Sequence, residues 1–297
     1  MMTRTRSWPR PHFCLEPVGA GILAARMSRP MSRIAAVFRQ GRARQESVLI
    51  AYLMAGDPSL DATAEYVLAL ERAGADLVEL GVPFSDPIAD GPVIQRASER
   101  ALKAKTTLTG ILTTVARLRA RTQIPLLLMT YYNPVLRFGE ARFATEASAA
   151  GVDGVIIPDL PPEEAGGLRP HARRAGLETV FLLAPTSPIA RIRRVAAVST
   201  GFLYYVSLTG ITGAALGNLR DVQTRIALIR RYTTQPIAVG FGIASPADAA
   251  RLAGAADGVI VGSALVRLLE TSQHDAARQA LGQAAVALKA GLARRPR

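Results

Sequence analysis

The chain has 297 residues, 49% of them hydrophobic, and 36 Lys and Arg against 23 Asp and Glu give a formal net charge of +13. The apolar content excludes wholesale disorder, and the length suits one large domain or two small ones. A single cysteine, Cys14, excludes an intrachain disulfide and a cysteine metal cluster, and His12, His171 and His274 lie far apart in sequence.

The charge sits at the ends. Residues 1–46 carry nine Arg and two Glu, and residues 289–297 carry Lys289, Arg294, Arg295 and Arg297, which leaves +2 for the body between. A nucleic-acid face on a folded domain needs its own positive excess, so both ends read as frayed basic segments without a target. No uninterrupted apolar run reaches the ~18 residues of a membrane span. Residues 1–30 are expected to be a disordered extension, with Met27 and Met31 as later starts, residues 31–290 a single catalytic domain, and residues 291–297 a basic tail. The cytoplasm is the expected location, with neither nucleic acid nor membrane as a partner.

From residue 47 short apolar runs alternate with helical stretches. The runs are 48–54, 76–81, 125–131, 152–158, 178–184, 201–206, 236–240 and 257–262. Each is continuously apolar, as parallel strands buried on both faces require. Between them, residues 60–73, 138–150, 162–175, 188–198 and 246–253 read as helices, with Pro or acidic residues near their first turns. Gly74, Gly151 and Gly176 recur where a helix must end before the next strand. Eight such units predict an α/β fold, a (β/α)8 TIM barrel in one domain. No G-x-G-x-x-G follows the first strand, which counts against a dinucleotide-binding open sheet.

Barrel chemistry sits on the loops after the strands. Glu79 lies inside the second strand between Val78 and Leu80, so it is either poised for proton transfer or held by a partner. The stiff loop after it carries Asp86 and Asp90 among Pro83, Pro87, Pro92 and Gly91. Asp86 reads as a turn residue, and Asp90 either presents its carboxylate to a ligand or caps the helix that starts near Gly91. Residues 207–218 read as a mobile Ser/Thr/Gly lid. Gly240-Phe241-Gly242 and Gly262-Ser263 precede helices and form the kind of turn that holds phosphate on backbone N–H groups. Lysines at strand ends are missing, which argues against a Schiff-base enzyme. Metal-free acid/base chemistry on a small phosphorylated molecule remains.

The run Glu79-Leu-Gly-Val-Pro-Phe-Ser-Asp-Pro-Ile-Ala-Asp-Gly-Pro-Val-Ile-Gln95 closely resembles the signature of the tryptophan synthase alpha chain family. Ala55–Pro58, Tyr132–Pro134, Pro158–Pro161, Tyr204–Gly213, Gly240–Ile243 and Gly262-Ser263 match in order and spacing, over roughly residues 31–290. The resemblance implies a lyase of tryptophan biosynthesis that splits indole-3-glycerol phosphate into indole and glyceraldehyde 3-phosphate. It implies Glu79 as the general acid/base, Asp90 as the anion facing the ring N–H, and Tyr204 as a hydroxyl near Glu79. Gly213, Phe241, Gly242, Gly262 and Ser263 then hold the phosphate, Met129 and Tyr131 wall the indole slot, and Thr212 is a lid residue that closes on Asp90. It implies no cofactor and no metal. The implied partner is a β chain, in an α2β2 heterotetramer that receives the indole through a tunnel, with Asp86 and Tyr132–Pro134 at the contact. Ala244 stands where many members have Ser, and Ile88 where Leu is usual. The alternative is another phosphate-binding barrel enzyme, such as a ribulose-phosphate or phosphoribosyl-anthranilate isomerase.

Overall fold

The computed structural model describes residues 31–207, 219–240, 242–243, 245–270 and 274–293. The expected extension, residues 1–30, lies outside the described residues. The strands are β1 (Val48–Met54), β2 (Leu77–Gly81), β3 (Leu126–Met129), β4 (Gly154–Ile156), β5 (Glu178–Val180), β6 (Leu182–Leu183), β7 (Leu203–Val206), β8 (Ile237–Gly240) and β9 (Gly258–Val261). All their pairings are parallel, in the order β5-β4-β3-β2-β1-β9-β8-β7-β6. Each expected run contains a strand, but the fifth is split in two at Phe181. The two edges of the sheet are thus consecutive in the chain, which curls the sheet into a nearly closed TIM barrel. At the seam, the Phe181 carbonyl between β5 and β6 accepts the Tyr204 N–H of β7 at 3.2 Å.

The helices are α1 (Arg33–Arg44), α2 (Leu60–Arg72), α3 (Pro92–Lys103), α4 (Leu108–Leu118), α5 (Tyr132–Phe138), α6 (Glu140–Ala150), α7 (Leu168–Ala175), α8 (Ile189–Val198), α9 (Leu219–Arg230), α10 (Pro246–Leu252), α11 (Ser263–Glu270) and α12 (His274–Leu292). Gly74, Gly151 and Gly176 all take positive φ, between 82° and 96°, at or just past the ends of α2, α6 and α7. A side chain there would be strained, which is why glycine recurs. Helix α7 begins six residues later than Pro162, because turns occupy the stretch that contains Gly166 and Gly167. Helix α12 runs past the expected boundary at 290 to Leu292, and Ala293 bridges Glu46. No helix among the described residues is long and apolar enough to cross a membrane.

Strand periodicity sorts the side chains. Leu49, Ala51, Leu53, Val78 and Leu80 pack against the helices, whereas Val48, Ile50, Leu77, Leu127, Ile156, Val180, Tyr204, Ala238 and Ile260 fill the barrel interior. Glu79 shares the parity of Leu77 and therefore points inward.

Helix α1 closes the floor, the end where the strands begin. Ile34 and Phe38 join the interior cluster, and the Phe38 ring meets Phe202 at 5.5 Å. Burying two such side chains contributes roughly 3–6 kcal/mol. Three of the four arginines of α1 are engaged rather than frayed, a correction to the sequence reading. Arg33 pairs with Asp153 at 3.0 Å, Arg44 with Asp76 at 3.3 Å and Arg42 with Asp257 at 3.6 Å. Each aspartate just precedes a strand and takes a second cation, Arg119, Lys289 and Arg230 respectively. Each also accepts a backbone N–H from the neighbouring strand or its lead-in, at Leu126, Leu49 and Ile237.

Candidate active site

The opposite end, where the strands finish, carries a pair of buried carboxyls, Glu79 and Asp90. Glu79 is 0% exposed, and neither of its oxygens has a hydrogen-bond partner among the described residues. Burial alone pushes its carboxyl up to about 8, so it carries a proton at neutral pH.

Asp90 comes from the loop after β2 and is also buried. Tyr131 donates its hydroxyl to Asp90 Oδ2 at 3.2 Å and accepts the Ala89 N–H at 2.9 Å. The Gln95 amide donates to the Asp90 carbonyl at 2.8 Å, and the Tyr131 ring lies 5.2 Å from Phe84. Burial raises the Asp90 carboxyl to about 6, with the Tyr131 hydrogen bond opposing. The group is therefore mostly ionised at pH 7. The capping alternative for Asp90 is set aside: the N-cap of α3 is Gly91, with no side-chain cap. Asp86 is exposed and accepts the Ser85 hydroxyl.

Two tyrosines flank this pair. Tyr204 is buried in the interior cluster on β7, and a Cβ on Gly240 would fall 2.5 Å from its hydroxyl. Tyr52, on β1 in register with Glu79, lies likewise across Gly81, where a Cβ would fall 2.1 Å from its hydroxyl. Burial first, then the nearby carboxylates Glu79 and Asp90, raises both phenols well above their ordinary value. The sequence reading missed Tyr52. Its shared parity with Val48 and Ile50, both inward, was the available signal. Met129 also faces inward and is partly buried beside the interior cluster. Tyr131, expected as a wall of the slot, additionally holds Asp90.

At the phosphate turns, Gly242 takes a φ of 76°, which a side chain would strain. The two helix N-termini there differ. That of α10 is closed by its own capping box, in which Ser245 accepts from the Asp248 N–H at 3.2 Å and Asp248 accepts from the Ser245 N–H at 3.1 Å. Helix α11 begins at Ser263 directly after Gly262 and has no acidic residue in its first turn. Thr212, Gly213, Phe241 and Ala244 lie outside the described residues.

Comparison with known proteins gives the same picture. Residues 38–293 match the family model for the tryptophan synthase alpha chain. A tryptophan synthase alpha chain of Geotalea uraniireducens is 53% identical over 88% of this chain and 98% of its own length. That of Geobacter sulfurreducens is 55% identical over 81% and 91%. Among solved structures, tryptophan synthase subunit alpha from Legionella pneumophila superposes with a TM-score of 0.82 at 37% identity, covering 88% of this chain and 98% of that one. A chain of Mycobacterium tuberculosis tryptophan synthase gives 0.82 at 36%, covering 89% and 99%. The inward Glu79, without a hydrogen-bond partner among the described residues, and these matches agree: the chain belongs to the tryptophan synthase alpha chain family, the lyase subunits that cleave indole-3-glycerol phosphate to indole and glyceraldehyde 3-phosphate.

Proposed function

We propose that in this chain Glu79 moves the protons of that cleavage and Asp90 holds the charge it creates. Glu79 enters protonated and gives its proton to C3 of the indole ring. The ring nitrogen keeps its hydrogen and becomes a positively charged iminium, which the Asp90 carboxylate stabilises through that N–H. The bond between C3 and the glycerol carbon then breaks, and its electron pair returns to the ring. The adjacent hydroxyl loses its proton to the Glu79 carboxylate and becomes the aldehyde carbonyl. Glu79 ends protonated, as it began, so one side chain serves both steps. Two carboxyls whose environments set different values, about 8 and about 6, support this division.

Gly262 and Ser263 at the N-terminus of α11, with Gly213, Phe241 and Gly242, hold the phosphate. Met129 and Tyr131 border the ring, Tyr204 supports Glu79 across the barrel, and Thr212 closes over Asp90. The family implies a β-chain partner. An α2β2 assembly would place it on the mouth, around Asp86 and Tyr132–Pro134. Ile88 and Leu136, 80% and 55% exposed, support this as large apolar side chains left open on the loop after β2 and on α5.

The observation that carries the reading is Glu79, buried, inward and without a hydrogen-bond partner among the described residues. The test incubates the pure full-length chain, and its Glu79→Gln variant, with indole-3-glycerol phosphate and follows indole. Release by the wild type and none by the variant is expected, with a phosphate-bearing ligand still bound within a few fold. Loss of that binding as severe as the loss of turnover would remove the proton-transfer role.

A further inference from the structure

Besides α1 and α5, two helices stand outside the one-helix-per-strand pattern, on either side of β1. Helix α3 precedes α4 between β2 and β3, and α11 precedes α12 after β9. They pack over the late part of β1, where Val93, Ile94, Ala97 and Ala101 of α3 and Val266 of α11 share a cluster with Tyr52 and Met54. Helix α3 starts two residues after Asp90, and α11 starts at the phosphate turn. On the site reading above, the two ends of the substrate lie at the starts of two helices that pack together.

A charged clamp fixes that packing. Arg100 of α3 donates from Nε and Nη2 to the two oxygens of Asp57, at 2.8 and 2.7 Å, and from Nη1 to Glu270 at 3.4 Å. Arg96, one turn earlier, donates to both oxygens of Glu270 at 2.9 and 3.2 Å. Asp57 is 1% exposed in the loop after β1, and Glu270 is the last residue of α11. The fork on Asp57 is planar and two-pronged, a geometry that sets direction as well as distance.

We propose that Arg100 is a positioning residue, which through Asp57 and Glu270 fixes the spacing between the Asp90 end and the phosphate end of the site. The inference rests on the site reading above. If the spacing is what Arg100 sets, its loss harms only a ligand that spans both ends. Arg100→Ala and the milder Glu270→Gln should raise KM for indole-3-glycerol phosphate and lower kcat, together about tenfold or more in kcat/KM, since a misplacement near 1 Å can cost about 10²-fold. Indole alone and glycerol 3-phosphate alone should bind within about twofold of wild type. Arg100→Lys keeps a cation but not the fork, and should fall between the two.

Asp90→Asn measured in parallel separates the two inferences. If Asp90→Asn turns over normally, the site reading fails. If Asp90→Asn is impaired while Arg100→Ala and Glu270→Gln keep kcat/KM within twofold, or if the half-ligands weaken as much as the whole substrate, the positioning role is overturned. Should Arg100→Ala fail to fold, Glu270→Gln and Arg100→Lys decide on the same criteria.

Discussion

The two ends of the barrel treat carboxylates in opposite ways. At the floor Asp76, Asp153 and Asp257 each hold two cations and a backbone N–H. At the mouth, among the described residues, Glu79 has no hydrogen-bond partner and the Asp90 carboxylate has one phenol. The same chemical group locks strands together at one end of the fold and, at Glu79, keeps its proton at the other. Partners decide which, because a buried carboxyl without them favours its neutral form.

The largest expected effect lies at the mouth. Glu79→Gln should lower indole release by about 10³-fold or more, read as single-turnover rate, in line with the upper range for a lost acid/base group. Asp90→Asn should cost roughly 10²-fold in kcat with smaller change in KM, since it removes only charge stabilisation. At the floor the order reverses. Asp153→Asn should lower stability by about 3 kcal/mol in urea titration, because Arg119 loses its buried counter-charge, while kcat of the folded enzyme stays near wild type. A floor variant that lost activity at full stability would break the comparison.

Titration sharpens it. The kcat/KM profile should be bell-shaped, falling below about pH 6 as Asp90 takes a proton and above about pH 8 as Glu79 loses one. Stability should move the other way from the usual acidic residue. Between 4.5, where the unfolded chain releases the Glu79 proton, and about 8, the folded chain alone retains it. Stability therefore declines as pH rises through that window. Glu79→Gln should remove much of the decline and be more stable than wild type at pH 8, by a few kcal/mol. The smallest effect expected is from deletion of residues 1–30, with melting temperature and turnover unchanged.

Much of this was legible in the sequence, and for identifiable reasons. Glu79 stood out because a charge interrupts an apolar run, and the glycines at 74, 151 and 176 because only one backbone geometry needs them. Helix α1 did not stand out: its arginines resemble those of the basic end, and their aspartate partners lie far away in sequence. Of α3, α4, α11 and α12 the sequence suggested only a helix starting near Gly91, since periodicity marks a helix but not which layer it joins. Tyr52 looked like core because a phenol and a phenyl ring fill a strand position alike. The Arg100 fork was hidden for a further reason: Asp57 and Glu270 are brought together only when the barrel closes.

The glycines beneath the two phenols carry a last consequence. Each ring occupies room left by a missing methyl group on the next strand. Adding that single carbon at Gly81 or Gly240 would evict a ring from its berth and crowd the chamber from within. The width available to a bound molecule is thus written partly in atoms the chain does not have, and an engineer seeking a narrower chamber would begin at those two bare positions.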